Sequence, residues 1–399
     1  MHRRILSIVL ASALLGAGGS KCLNLDQALS DKQPFSETGG LAALLALVSS
    51  KAYIFMDDSA GDATARSLLT YSADGSLQRV NWSGGPQNIR MAAVANNVIY
   101  ALDNQNIDDV WISRDGGSNW EQTDLPSSNE SEQFKQIADC GGKIVVAFAT
   151  IKYNGSGTHP GYVSSDGGAS WQAWQSTFSP MATGTGDIIL DSLECNSDLV
   201  FITSSNSTAK VEWASTSDLN SWTSASSHPA GNSLYTSTAT SGTGLIGLTC
   251  DGSCNSPGLN YSTNLGNGMA VSGTMPNSTG YYHATGVTEY ANNGIFASPF
   301  LVSEANSGSQ TCIVYRFATG ATAPSSTAKA TLSCSDVGSL YSMPAMLAFD
   351  SNLLVSYRGS LGTQTGLLLS KDGGVSLEKV DLSSVWTDSG FIADIEDSY

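Results

Sequence analysis

Three arginines carry the chemistry this chain could most readily do: Arg66, Arg90 and Arg358. A guanidinium is a planar fork of N–H donors that matches a pair of carboxylate or sulfate oxygens, so several brought together would hold an acidic ligand. The plain alternative is three surface side chains that lie along the protein or pair with Asp57, Asp58 and Asp62 close by in sequence. Those aspartates, with Asp103, Asp108 and Asp109 further on, could instead hold Ca²⁺. They lack the Asp-x-Asp-x-Asp-Gly grammar of a dedicated calcium loop, and a solvated acidic rim is the competing reading. His159, His228 and His283 show none of the spacings of a zinc site. Neither a Gly-x-Ser-x-Gly elbow nor a phosphate loop occurs. Beyond the calcium option no cofactor is expected.

Whether such residues meet depends on the elements that carry them, and those elements repeat. Ser113-Arg114-Asp115-Gly116-Gly117-Ser118-Asn119-Trp120 and Ser164-Ser165-Asp166-Gly167-Gly168-Ala169-Ser170-Trp171 share the pattern Ser-x-Asp-x-Gly-x-x-Trp. A third copy keeps Ser370, Asp372 and Gly374 but closes on Leu377. Looser versions start at Ser72, Thr216 and Ser262, and the intervals along the series are 41, 51, 52, 46 and 108 residues. The pattern suits a strand reversal. Asp accepts hydrogen bonds from turn N–H groups, Gly supplies the positive φ that other residues resist, and Trp returns the chain to a buried face. The last interval is a double one, and residues 313–317 fill the gap as a strand without the Asp turn.

Apolar, β-branched runs such as 98–102 and 144–148 accompany each repeat and are dense enough for strands buried on both faces. From Leu41 onward the chain reads as seven units of four strands. Periods of 40 to 50 residues in an all-β chain imply a single seven-bladed β-propeller over residues 41–399. The run 41–47 is assigned to the innermost strand of the first unit. The closing segment 385–399 either completes the ring or trails behind it.

The repeated stretches resemble the Asp-box (BNR) repeats of sialidase-like β-propeller proteins. That resemblance implies a structural role for Ser113, Asp115, Gly117, Trp120, Ser164, Asp166, Gly168, Trp171, Ser370, Asp372 and Gly374, and ligand chemistry on the opposite face. It would bring Arg358, Arg66 and Arg90 to that face from three consecutive units, as sialidases hold a substrate carboxylate with an arginine triad. The sialidase Phe-Arg-Ile-Pro motif does not occur, and the blade count is instead similar to that of the seven-bladed photosystem-assembly factors. The expectation is a non-catalytic scaffold that binds a protein or a glycan on the face away from the boxes. A glycan-cleaving hydrolase is the alternative.

Composition narrows the partners. A net charge of −17 argues against a surface that seeks nucleic-acid phosphates. Residues 1–20 read as a signal peptide, with Arg3 and Arg4 before an apolar run too short to span a bilayer, and residues 21–40 as a polar tether. The chain is thus expected to be exported, to a bacterial surface, periplasm or medium. Of seven cysteines, Cys22 sits where bacterial lipoproteins are acylated, although Lys21 departs from the small residue that usually precedes such a cysteine. The other six are expected to pair as Cys312–Cys334, Cys250–Cys254 and Cys140–Cys195. Any contact with a membrane would run through Cys22. Intact mass of the exported protein should show Arg3 and Arg4 removed; a diacylated Cys22 at the start marks a lipoprotein, and an unmodified start at Ser20 or Lys21 ends that idea.

Overall fold

The computed structural model describes the strands named below together with residues 74–76, 82–87, 96–97, 109, 114–120, 125, 140–143, 165–171, 198, 216–217, 345, 371–372, 376–377 and 380–386, all within the span 51–397. The chain is all-β. Its first sheet takes β1 (Lys51–Asp57), β2 (Ser67–Ser72) and β3 (Leu77–Asn81). The second is β4 (Ile89–Ala95), β5 (Val98–Asp103), β6 (Val110–Ser113) and β7 (Glu121–Thr123). The third holds β8 (Phe134–Asp139) and β9 (Ile144–Phe148); then β10 (Thr150–Ile151) crosses to the next sheet before β11 (Thr158–Ser164) and β12 (Gln172–Ser176) complete it. The fourth is β13 (Ile188–Cys195), β14 (Leu199–Asn206), β15 (Thr208–Ser215) and β16 (Asp218–Ser224), with β10 along β13. The fifth is β17 (Leu234–Ser241), β18 (Gly244–Cys250), β19 (Gly258–Ser262) and β20 (Ala270–Thr274). The sixth is β21 (Tyr282–Glu289), β22 (Phe300–Asn306), β23 (Thr311–Phe317) and β24 (Ser325–Ser333). In the seventh, β25 (Leu340–Ser342) and β26 (Met346–Phe349) both pair with β27 (Asn352–Gly359), followed by β28 (Thr365–Ser370) and β29 (Glu378–Lys379). The last strand, β30 (Phe391–Asp397), returns to the first sheet and lies antiparallel to β1, with Ile54 opposite Ile395.

That return decides what the sequence left open. The inner place beside β1 is filled from the C-terminal end of the chain, so the assignment of residues 41–47 to that strand is corrected; they lie outside the described residues. The reason is geometric. β1 has only two edges, and β2 and β30 occupy both. The first strands of the sheets then pack side by side in cyclic order, from β30 to β4, β8, β13, β17, β21 and β26 and back to β30.

Alternate strand residues point to opposite faces, and here both faces are apolar. On β1, Tyr53 and Phe55 join Leu68, Ile89, Val94 and Ile99 between the first and second sheets. Ala52, Ile54 and Met56 turn the other way, onto Leu354, Leu367 and Leu369 of the seventh. On β5, Ile99 and Ala101 face the first sheet, while Tyr100 and Leu102 meet Ile137, Ile144, Val146 and Trp171 of the third. Val145 and Trp174 carry the packing on to Leu193, Val200 and Ile202 of the fourth. Each large side chain so buried contributes about 1.5–3 kcal/mol. Local chemistry agrees with this plan. The β4–β5 hairpin turns on Asn96 and Asn97, both at positive φ (51° and 63°), the conformation a two-residue hairpin needs and asparagine tolerates.

The turns after β6 and β11 dock on the preceding sheet. A Cβ added at Gly117 would stand 2.6 Å from Leu68 Cδ2 of β2, and one at Gly168 would stand 2.3 Å from Ile112 Cδ1 of β6. Cations bridge the same seams. Arg114 Nη2 donates to the Gly167 carbonyl at 3.0 Å, Lys143 Nζ donates to the Thr216 carbonyl, and Arg79 Nη1 reaches the Val385 carbonyl at 3.4 Å. Gly168→Ala should therefore cost about 2–4 kcal/mol, combining positive-φ strain with overpacking. Gly167→Ala, whose Cβ finds its nearest neighbour at 3.5 Å, should cost only the strain, about 1–2 kcal/mol. Urea unfolding of the two variants checks the difference.

Candidate functional site

The two ends of the sheets are built on different principles. At one end lie the Ser-x-Asp turns, each between the third and fourth strand of its sheet. The Ser113 hydroxyl donates to Asp115 Oδ1 (3.0 Å) and accepts from the Gly117 N–H (2.8 Å); Ser164 does the same with Asp166 (2.8 Å) and Gly168 (2.8 Å). Asp115 Oδ1 also takes the N–H groups of Ser118 and Asn119, and Asp166 Oδ1 takes that of Ser170. Ser370 donates to Asp372 (2.7 Å), which accepts the Ser376 N–H at 2.9 Å. Gly116, Gly117, Gly167 and Gly168 all sit at positive φ, between 71° and 98°; Gly374 lies outside the described residues. Trp171 is buried, while Trp120 is half-buried, donates Nε1–H to the Gly117 carbonyl and tilts against Trp82 at 5.5 Å.

These turns are saturated from within. The hydroxyl and amide donors of Ser170, followed by the Ser164 hydroxyl, lower the Asp166 carboxyl to about 2. Asp115 is lowered by Asn119, Ser113 and Ser118 in the same way. Nearly every acceptor position is spent on the turn itself, so the aspartates hold the chain in shape and offer little to a ligand.

The other end carries a different repeated feature. Each inner strand is interrupted by one extra residue, a β-bulge, near its N-terminal end: Arg90 on β4, Lys135 on β8, Asp191 on β13, Thr236 on β17, Thr285 on β21, Tyr341 on β25 and Ala393 on β30. The register fixes the tier. On β5, Ile99 lies opposite Ser113 at the turn end and Asp103 lies opposite Ile89 beside the Arg90 bulge. A bulge bends its strand and re-aims the residues around it, and such features gather at binding sites. The sequence carries a faint trace of it. Ile89, Ala92 and Val94 belong to one cluster, as Ile392 and Ile395 do to another, so an apolar period of two contains a single step of three.

Of the arginines, Arg90 is itself a bulged residue and Arg358 pairs with Ser342 and Thr365 at the same level of the seventh sheet. Arg66, Asp58 and Asp62 lie outside the described residues; Asp57 ends β1 opposite Phe391, also at this end. Asp103 is 1% exposed and its Oδ2 accepts the Gln87 N–H at 2.9 Å. No cluster of three or more metal-binding side chains occurs among the described residues. Cys140 and Cys195 form a disulfide with Cα atoms 4.9 Å apart, joining the third sheet to the fourth. Cys250 ends β18, and Cys312 on β23 faces Leu332 in the register; Cys254 and Cys334 lie outside the described residues.

No family model matches the sequence, and no curated protein matches it. Among solved structures the chain is similar to a protein from Lactobacillus plantarum at 11% identity, with a TM-score of 0.56, covering 88% of this chain and 99% of that one. The neighbours of this structure are β-propeller proteins. The fold is a β-propeller. Two further neighbours are a virginiamycin B lyase from Staphylococcus aureus (11% identity, TM-score 0.48, 73% of this chain and 85% of that one) and YCF48 bound to a D1 peptide (12%, 0.48, 76% and 90%). In this propeller the cyclic contacts of the inner strands, the two-faced cores and the β30–β1 pairing are the parts of one ring.

A carboxyl whose folded value is depressed lends stability above its ordinary titration range and loses it as pH falls through the folded value. For the turn aspartates that window runs from the unperturbed 3.8 down to about 2 for Asp166. The thermal midpoint of the wild-type propeller should therefore drop between pH 4 and pH 2 more steeply than that of the Asp166→Asn variant, whose side chain cannot titrate. Parallel slopes for the two would reject the role given to this carboxylate.

Proposed function

We propose that this chain is an exported, non-catalytic recognition or assembly scaffold: a seven-bladed propeller of Asp-box type that takes a protein or glycan ligand on the face opposite the boxes. The observation that carries this reading is the bulge tier. It sets an arginine, a lysine, an aspartate, two threonines, a tyrosine and an alanine at equivalent backbone positions of the inner strands, while the turns at the other end are spent on themselves. Such chemical variety on a rigid ring suits selection among ligands.

In this reading Arg66, Arg90 and Arg358 belong to the recognition surface, Asp57, Asp58 and Asp62 to its acidic rim, and no cofactor is required. Export would come from residues 1–20, with Cys22 as the one route to a lipid anchor. The test is a fluorogenic sialoside assay beside a glycan array and pull-down from a bacterial envelope extract. The expected outcome is no turnover, with binding weakened by about 1.5–3 kcal/mol in each of Arg66→Ala, Arg90→Ala and Arg358→Ala. Turnover by the wild type that any of the three abolishes would move the protein to the hydrolases.

A further inference from the structure

The third and fourth sheets are tied at both ends of their seam, by bonds of different kinds. At the turn end, where Ile144 lies opposite Ser164 and Leu199 opposite Ser215, the tie is the disulfide between Cys140 and Cys195. Cys140 directly follows β8 and its N–H donates to the Lys143 carbonyl at 2.7 Å, while Cys195 closes β13. At the bulge end the tie is main chain: β10 pairs with β13, Thr150 opposite Ile189 and Ile151 opposite Ile188. Between the two ties pack Val145 and Trp174 of the third sheet and Leu193, Val200 and Ile202 of the fourth. Trp174 also tilts against Trp222 at 5.3 Å. The seam differs from its neighbours at the turn itself. The turns after β6 and β11 seat a glycine on the preceding sheet, against Leu68 and Ile112, but the turn after β15, Thr216–Ser217, has no glycine.

We propose that this seam is a redox-operated hinge. With the disulfide closed the two sheets are one rigid pair; with it reduced they part at the turn end while β10 stays paired as the pivot. Two bodies fixed at two separated points cannot rotate against each other, and releasing one point leaves rotation about the second. A ribbon of two residue pairs twists easily, and its main-chain hydrogen bonds are untouched by a reductant. Cys140 is 1% exposed and Cys195 is half-buried, so an incoming thiolate meets the Cys195 sulfur first. Attack there by a dithiol breaks the S–S bond and releases Cys140 as a thiolate, which takes up a proton. The second thiol of the reductant then displaces Cys195, which is protonated in turn, and the reductant leaves as its own disulfide. Two electrons thus pass to the protein and two thiols remain. The change stays local because Gly168 still sits on Ile112 at the seam before, and β13 still lies beside β17 at the seam after. The hinge holds whichever ligand the bulge face takes.

Hydrogen exchange of the full chain, read by mass spectrometry, tests it on the oxidised protein and the Cys140→Ala, Cys195→Ala double variant. Exchange should quicken about tenfold or more over 140–146 and 198–203, the two sides of the seam at its turn end. Residues 150–151 and 188–189, and the packed strands 92–94 and 99–102 elsewhere in the ring, should keep their wild-type rates. Wild type treated with a dithiol and then reoxidised should gain and lose the same pattern, with its near-ultraviolet circular dichroism retained throughout. Unchanged exchange at the turn end would overturn the hinge, as would acceleration spread evenly over all sheets. Loss of protection at β10 and β13 before the turn end, or collapse of the dichroism on reduction, would overturn it equally.

Discussion

A sheet that is apolar on both faces cannot remain in water by itself; it must be sandwiched, and so must each of its partners. That constraint organises this protein. Tyr53 and Phe55 on one side of β1, and Ile54 and Met56 on the other, each demand a neighbouring sheet. The demand passes along β5, β9 and β14 in the same alternating manner. A row of such sheets would end in two uncovered apolar faces, whereas a ring has none. Closure by β30 on β1 follows from that arithmetic of faces, and it uses main-chain hydrogen bonds to join the two ends of the described chain.

Once the ring exists, its two ends divide the work. The turn end is conservative in its chemistry: one serine, one aspartate and two glycines repeat the same pattern of bonds at Ser113 and again at Ser164. These turns also fit the sheets together, since the glycines lie where the side chains of Leu68 and Ile112 leave no room for a Cβ. The bulge end repeats a backbone feature while varying the residue that occupies it. A constant frame with variable occupants is the arrangement expected of a surface that selects a ligand, as loops do on other rigid scaffolds.

The covalent link between Cys140 and Cys195 belongs to the frame. It joins the first residue of the turn after β8 to the end of β13, so two neighbouring sheets are tied near the ring's inside as well as packed through Val145, Trp174 and Leu193. A cross-link over 55 residues restricts the unfolded chain and thereby favours the ring, by about 2–4 kcal/mol in the usual accounting.

Read alone, the sequence determined the all-β class, the turn residues from Ser113 to Asp372, and the Cys140–Cys195 link, because each rests on short-range chemistry: alternation along a strand, hydrogen bonds within eight residues, and repeat-to-repeat equivalence. The structure decided three things that such local signals could not reach. It gave the inner edge of the first sheet to Phe391–Asp397 in place of residues 41–47, since two apolar segments compete for one edge and only the closed ring selects between them. It placed Arg90 and Arg358 at one level of the same end, a matter of register between strands far apart in the chain. And it brought Lys135 to the same tier as Arg90, because a bulge is defined by what a strand pairs with, and a single strand read by itself has no partner to be out of step with.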